Sequence, residues 1–235
     1  MLNNNLLALM VTLFIALAWL RLMDFAAQRG WISSRLSRKI IHIGTGPIFI
    51  LCWVFFSDTE QARFLAALVP GGITLQFLLV GLGILRDEGS VQSMTRHGDR
   101  REILRGPLLY GIVFVILTLI YWRESPIGIV ALMVLCGGDG LADIIGRRFG
   151  TQKLPWNKEK SWIGSLGMLL GSWFFAMAIM AFFIAQGFFS FSLIEIILPV
   201  TLIALVSTLV ESLPVHDVDN LTISLAAVIV GQMLF

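Results

Sequence analysis

Charge is what this chain has least of. Only 14% of its 235 residues are Asp, Glu, Lys or Arg, against 57% hydrophobic, and the mean hydropathy is +0.86. A soluble domain of this length exposes far more charge, so the composition excludes one and implies an integral membrane protein. Cysteine is scarce as well. Cys52 and Cys136 both lie in apolar segments, with no CxxC pair and no histidine nearby. That excludes a disulfide framework and a zinc site, and two free buried thiols are expected. The opening MLNNNLLALM has no basic stretch of the kind that begins a secretory leader, so the first apolar run is expected to be kept as a span. There is no internal repeat and no low-complexity tract. Neither a Walker GxxxxGK[ST] run nor a kinase glycine loop occurs, so neither common soluble ATP-binding fold is indicated.

What is present is a series of apolar runs, at about 5–21, 40–56, 64–85, 107–122, 126–146, 162–186, 192–211 and 219–235. Spans of roughly 20 residues fit this length about eight times over. Backbone hydrogen bonding inside a bilayer makes each of them a helix. The runs at 107–122 and 219–235 are short. The expected fold is therefore all-α, a multi-pass transmembrane helical bundle of about 7–8 spans, forming one membrane-embedded domain over residues 1–235. Trp31, Trp53, Trp122, Trp156 and Trp162 fall near run ends, where indoles favour the membrane interface.

The cations give the orientation. Arg21, Arg29, Arg35, Arg38 and Lys39 crowd residues 21–39, and Arg86, Arg96, Arg100, Arg101 and Arg105 crowd 86–106. Arg147, Arg148, Lys153, Lys158 and Lys160 follow at 147–160, leaving only Arg63 and Arg123 elsewhere. The positive-inside rule puts these three loops in the cytoplasm and both termini outside. Many of these cations have an ordinary role as topology determinants that touch anionic lipid. Residues 22–38 also have the make-up of a short interfacial segment before the second span.

The chemistry concentrates at 136–165, CGGDGLADIIGRRFGTQKLPWNKEKSWIGS. Carboxylates inside an apolar helix are costly and therefore mark function. Asp139 and Asp143 are four residues apart, so on a helix they share a face and repel unless a cation lies between them. Mg²⁺ accepts one or two carboxylates and completes its shell with water and phosphate oxygens. The alternative is that both aspartates pair with arginines of the following loop, for instance Asp143 with Arg147 at the same helical spacing. Gly137, Gly138, Gly140 and Gly146 keep the helix surface low, either for an approaching phosphate chain or for close helix packing. Lys158, Lys160 and Ser161 immediately precede a helix expected from Trp162, whose first N–H groups suit phosphate. With the topology above, His42, Asp139, Asp143, Glu211, Asp217, Asp219 and Asn220 all open towards the cytoplasm, while the outer half is plain apart from Glu195. A carrier would more often stagger its acidic residues through the membrane depth.

GDGLADIIGRRFG, KLPWNKEKSWIGS and ESLPVHDVDN together resemble the phytol kinase branch of the polyprenol kinase family, which also includes farnesol kinases, dolichol kinases and CTP-dependent diacylglycerol kinases. RKIIHIGTG at 38–46 is similar to its amino-terminal motif, and the resemblance covers roughly 35–230. It implies an enzyme that phosphorylates a lipid alcohol such as phytol, with CTP as donor and Mg²⁺ on Asp139 and Asp143. It further implies a nucleotide and metal site at Asp139, Ala142, Asp143, Gly146, Lys160, Ser161 and Gly164 and an acidic motif at Glu211, Asp219 and Asn220. The residues themselves add expected nucleotide contacts at Gly138, Arg148 and Lys158 and a catalytic role for Arg147 beside Asp143, Lys160, Asp219 and Glu211. His42 and Asn220 are the expected substrate contacts. The expected location is the cell membrane, with the site on the cytoplasmic face and no nucleic acid among the partners. Phosphatidate cytidylyltransferases carry a similar block that continues as DxxxDxxxD. Here the third position is Arg147, which favours transfer of the terminal phosphoryl group over transfer of CMP.

Overall fold

Apolar stretches become helices here because the residues between them supply the stops and caps. Asn4 accepts from the N–H groups of Leu6 and Leu7 at 2.8 and 3.4 Å and starts α1 (Asn5–Gln28). Ser33 caps α2 (Ser34–Leu51), and Gly83, at φ +78°, closes α3 (Glu60–Leu82) in the left-handed conformation that glycine adopts without strain. The computed structural model describes residues 4–95, 98–215 and 218–235. It continues with α4 (Glu88–Met94), α5 (Gly106–Ile120), α6 (Pro126–Met133), α7 (Gly140–Phe149), α8 (Trp162–Ala185), α9 (Leu193–Ser212) and α10 (Asp219–Leu234). Short 3₁₀ turns follow α2 and precede α5, and a π-helical segment, Val134–Asp139, joins α6 to α7.

The fold is all-α and multi-pass. Among the described residues there is no strand, only a single antiparallel bridge between Lys153 and Ser161. Among the described residues seven helices are long and apolar enough to cross a membrane, and α10 is apolar but shorter. At 16 residues it rises about 24 Å, short of a hydrocarbon core of about 30 Å. The short interfacial segment expected at 22–38 does not form as a separate piece. Helix α1 runs on to Gln28 and α2 starts at Ser34, so two helix ends take up that stretch. Both cysteines are free and buried, as expected.

The chain divides into two compact units, Met1–Ile120 and Tyr121–Phe235. In the first, α1, α2, α3 and α4 enclose a cluster of Ile41, Phe77, Val80, Met94 and Ile103, against which Leu20, Met23, Ile73 and Val91 pack. The side chain of Asn5 accepts from the N–H of Ser57 at 2.8 Å and from its hydroxyl at 3.0 Å, fixing the start of α1.

In the second unit the fifth span, α6 through α7, is the axis. Residues 126–140 are buried throughout, packed by α8, α9 and α10. Its contact with α8 is made by glycines on both sides. A Cβ on Gly171 would meet the carbonyl oxygen of Gly137 at 2.6 Å, and one on Gly164 would meet that of Ala142 at 3.2 Å. Backbones approach this closely only where side chains are missing. Ser192 and Glu195 cap α9: the Glu195 carboxylate accepts from the Ser192 N–H at 2.5 Å and from its hydroxyl at 2.8 Å. That gives the isolated acidic residue at the start of α9 a structural task.

Candidate active site

The basic loop after α7 is a folded hairpin. The Leu154 N–H donates to the Lys160 carbonyl at 3.1 Å, and the Trp162 N–H donates to Gln152 at 3.2 Å. Leu154 is buried beneath it. Its tip, Pro155–Trp156–Asn157, lies against the carboxy-terminal end of α9. Trp156 Nε1 donates to the Ser212 carbonyl at 3.1 Å, and Asn157 Nδ2 donates to the carbonyls of Ser212 and Leu213 at 3.2 and 3.1 Å. Helix ends leave just such carbonyls without helical partners.

This docking places Lys160 on Glu211, fifty-one residues further along the chain, in a direct ion pair. Glu211 is almost wholly enclosed, with 2% of its side chain exposed, and Lys160 is less so at 28%. Burial by itself lowers the Lys160 pKa, but the carboxylates of Glu211, Asp139 and Asp219 outweigh it and hold Lys160 above the ordinary lysine range. One ammonium therefore answers three carboxylates drawn from the fifth span, the end of α9 and the start of α10. Glu211 Oε1 is taken up by Lys160, whereas its Oε2 is buried with no hydrogen-bond partner. A buried carboxylate oxygen left in this state is costly unless a proton donor or cation completes it.

The other expected site residues fall into three groups. Asp143 is paired with Arg147, Nε to Oδ1 at 2.6 Å, in the alternative arrangement that the spacing allowed. The pair is part-exposed, and pairs of that kind hold with well under about 1 kcal/mol. Ser161 is buried and caps α8, its hydroxyl accepting from the Gly164 N–H at 3.2 Å. Gly138, Ala142, Gly146 and Gly164 lie in the seam between the fifth span and α8; a Cβ on Gly138 would reach the Ser172 hydroxyl at 2.1 Å. In this arrangement the glycines serve helix packing, one of the two uses their small size allowed.

Arg148 and Lys158 are exposed, Arg148 lying 5.4 Å from the ring centre of Phe149. Asn220 is buried at the start of α10, and its N–H donates to Asp219 Oδ1 at 3.1 Å. Asp217 lies outside the described residues, as does Arg96. His42 belongs to the first unit, where Tyr110 donates its hydroxyl to the His42 carbonyl at 2.7 Å and the two rings lie 4.4 Å apart.

Among the described residues no three His, Cys, Asp or Glu side chains form a ready-made metal cluster. Mg²⁺ does not need one, since it is usually held by one or two carboxylates and otherwise by water and phosphate. The donor set therefore fits Mg²⁺ carried in on a polyphosphate better than a cation caged by protein. The contacts that sequence reasoning missed are those of Trp156 and Asn157. The signal was an amide set beside the lysines in a loop otherwise read for its charge.

No family model and no solved structure matches the chain. Curated proteins do. It is 45% identical over 227 residues to the chloroplastic farnesol kinase of Arabidopsis thaliana, covering 96% of this chain and 74% of the relative. It is 43% identical to the probable chloroplastic phytol kinase of Triticum aestivum, over 94% of this chain and 74% of the relative. Phytol kinase 1 of Arabidopsis thaliana is 38% identical over 88% of this chain and 69% of its own length. The first two of these matches, over 96% and 94% of the chain, run across both compact units. The chain therefore belongs to the phytol and farnesol kinase branch of the polyprenol kinase family, a family of lipid alcohol kinases.

Proposed function

We propose that the protein transfers the γ-phosphoryl group of CTP to the hydroxyl of a prenyl alcohol, phytol or a close relative, at the cytoplasmic face of the cell membrane. The observation that carries this reading is the enclosed Lys160–Glu211 pair with Asp139 and Asp219 around it. The tail of the alcohol lies among apolar helices, and the nucleotide arrives from the aqueous side. The hydroxyl oxygen attacks the γ-phosphorus, the bond from that phosphorus to the CDP oxygen breaks, and the hydroxyl proton passes to Glu211 Oε2, the carboxylate oxygen without a partner. CDP leaves with the bonding electron pair. Lys160 spreads the charge that develops on the phosphates, and Arg147 adds to this once its weak pairing with Asp143 opens. Such catalysis is positioning and electrostatics more than covalent chemistry.

Mg²⁺ bound with the nucleotide would neutralise phosphate charge, and Asp139 is the buried carboxylate that would hold it, together with Asp143. Asp219 and Asn220 order the nearby start of α10. We take the chain as one catalytic domain, since the kinase relatives align across both of its units. The orientation rests on the placement of fifteen of the seventeen cations in three loops.

The test uses purified protein with CTP labelled in the γ- or the α-phosphate, presented with a panel of lipid alcohols and lipid phosphates. Label from the γ-position in a prenyl monophosphate is the expected result. Label from the α-position in a lipid phosphate, with pyrophosphate released, identifies a cytidylyltransferase instead. In the same assay Arg147→Asp recreates the DxxxDxxxD spacing and is expected to abolish the kinase reaction.

A further inference from the structure

The hairpin tip carries a residue to which nothing so far gives a part in the reaction. Asn157 is 6% exposed, and all of its hydrogen-bonding directions converge on one purpose. Its Nδ2 donates to two carbonyls at the end of α9, at 3.2 and 3.1 Å. Its Oδ1 accepts from the Glu159 N–H at 3.1 Å, and its own carbonyl accepts from the Lys160 N–H at 3.3 Å. It thus ties the last turn of α9, which holds Glu211, to the backbone of the residue that faces Glu211. Trp156 braces the same Ser212 carbonyl from the side and packs edge-to-face on Trp162, with ring centres 5.6 Å apart, at the first residue of α8.

We propose that Asn157 is a positioning residue for phosphoryl transfer: it sets the Lys160 ammonium against the nucleotide phosphates by clamping the hairpin to the end of α9. This rests on the site reading given above.

The amide is chemically specific to the task. Aspartate has the same shape but no N–H to offer the two carbonyls, and its charge would face the negative end of the α9 dipole and Glu211 besides. Glutamine keeps the donors on a stem one methylene too long for the Glu159 contact. Because Asn157 touches no reacting atom, its effect passes entirely through Lys160.

That dependence is what a double-mutant cycle reads. Asn157→Asp, in the full-length protein in detergent, is expected to lower kcat/KM by about a hundredfold, the scale of a small misplacement at a reacting centre. The KM for CTP should rise while the KM for the alcohol stays unchanged. Asn157→Gln should fall between the two. In a Lys160→Gln background, which keeps a donor to Glu211, Asn157→Asp should cause no further loss. Equilibrium dialysis with labelled CTP reads the same cycle where turnover is too slow.

Equal losses in both backgrounds, or a fall in kcat with every KM unchanged, would show that Asn157 only supports folding and would overturn the proposal. CTP, UTP and ATP are run side by side on the wild-type protein. Absence of γ-label transfer from all three removes the site reading and the clamp with it, whereas normal wild-type transfer with additive losses removes the clamp alone.

Discussion

The first and fifth spans have the same length and opposite fates. Each has 24 residues, and the first holds the more apolar 18-residue stretch, with a mean hydropathy of 2.3 against 1.8. Yet within the most apolar 18-residue stretch of each, only 17% of the first is buried, against 83% of the fifth. In the first, Leu6, Met10 and Phe14 are 61%, 62% and 73% exposed, forming a stripe at helical spacing that suits lipid tails. The fifth carries Asp139 within its π-helical segment and three glycines within a few residues of it. Apolarity does not draw a helix into the middle of a membrane protein, because lipid is as apolar as leucine. A carboxylate that must be kept from lipid does, and glycines let the neighbouring helices close around it.

Four substitutions probe that difference, each followed by thermal unfolding in detergent and by turnover. Lys160→Met should be the most damaging to stability, at about 3–5 kcal/mol, because it strands the enclosed Glu211 carboxylate. Adding Glu211→Leu should recover most of that loss. A pH signature goes with it. Since Lys160 is held above the ordinary lysine range, its contribution is fully present below that range and disappears only as pH rises through the higher folded value. Asp139→Asn should leave unfolding unchanged and reduce turnover by about a hundredfold. Near-normal turnover in folded protein would make the carboxylate structural. Gly171→Ala should cost about 1–3 kcal/mol, since the new methyl has to displace backbone, not a mobile side chain. Phe14→Ala, on the lipid-facing stripe, should stay within about 0.5 kcal/mol. A loss there as large as that of Gly171→Ala would erase the contrast between the two spans.

Much of this architecture was open to inspection in the chain itself. Hydropathy placed the sixth span at 162–186 and the seventh at 192–211, and the helices run Trp162–Ala185 and Leu193–Ser212. The helical reading failed where polar residues continue an apolar helix. The basic residues Arg35, Arg38 and Lys39 belong to α2, and Glu88–Met94 forms a helix too short and too polar to register in hydropathy. The site was legible in its membership more than in its pairings. Asp139, Lys160 and Glu211 stood out singly, since each is a charge next to an apolar run. Their meeting depends on the hairpin at 151–161, whose bridge and amide contacts bring together residues far apart in sequence. The use of the glycines was undecided for a related reason: whether a small residue faces a ligand or a neighbouring helix is settled by what packs against it.

The π-helical segment gives the fifth span a phase as well as a shape. A turn closed one residue late rotates everything beyond it by about 100° relative to a continuous α-helix. Asp139 and the whole of α7 therefore owe their azimuth to a single surplus residue between α6 and the motif. In mutational terms the sensitive event is a change of length more than a substitution. Removing one residue of the bulge, such as Cys136, would let the turn close as ordinary α-helix and keep Asp139 at its azimuth, whereas one further residue would swing it about 100° away from Lys160. The bulge thus makes this span tolerant of one in-frame codon lost ahead of GDGLADIIGRRFG and intolerant of one gained.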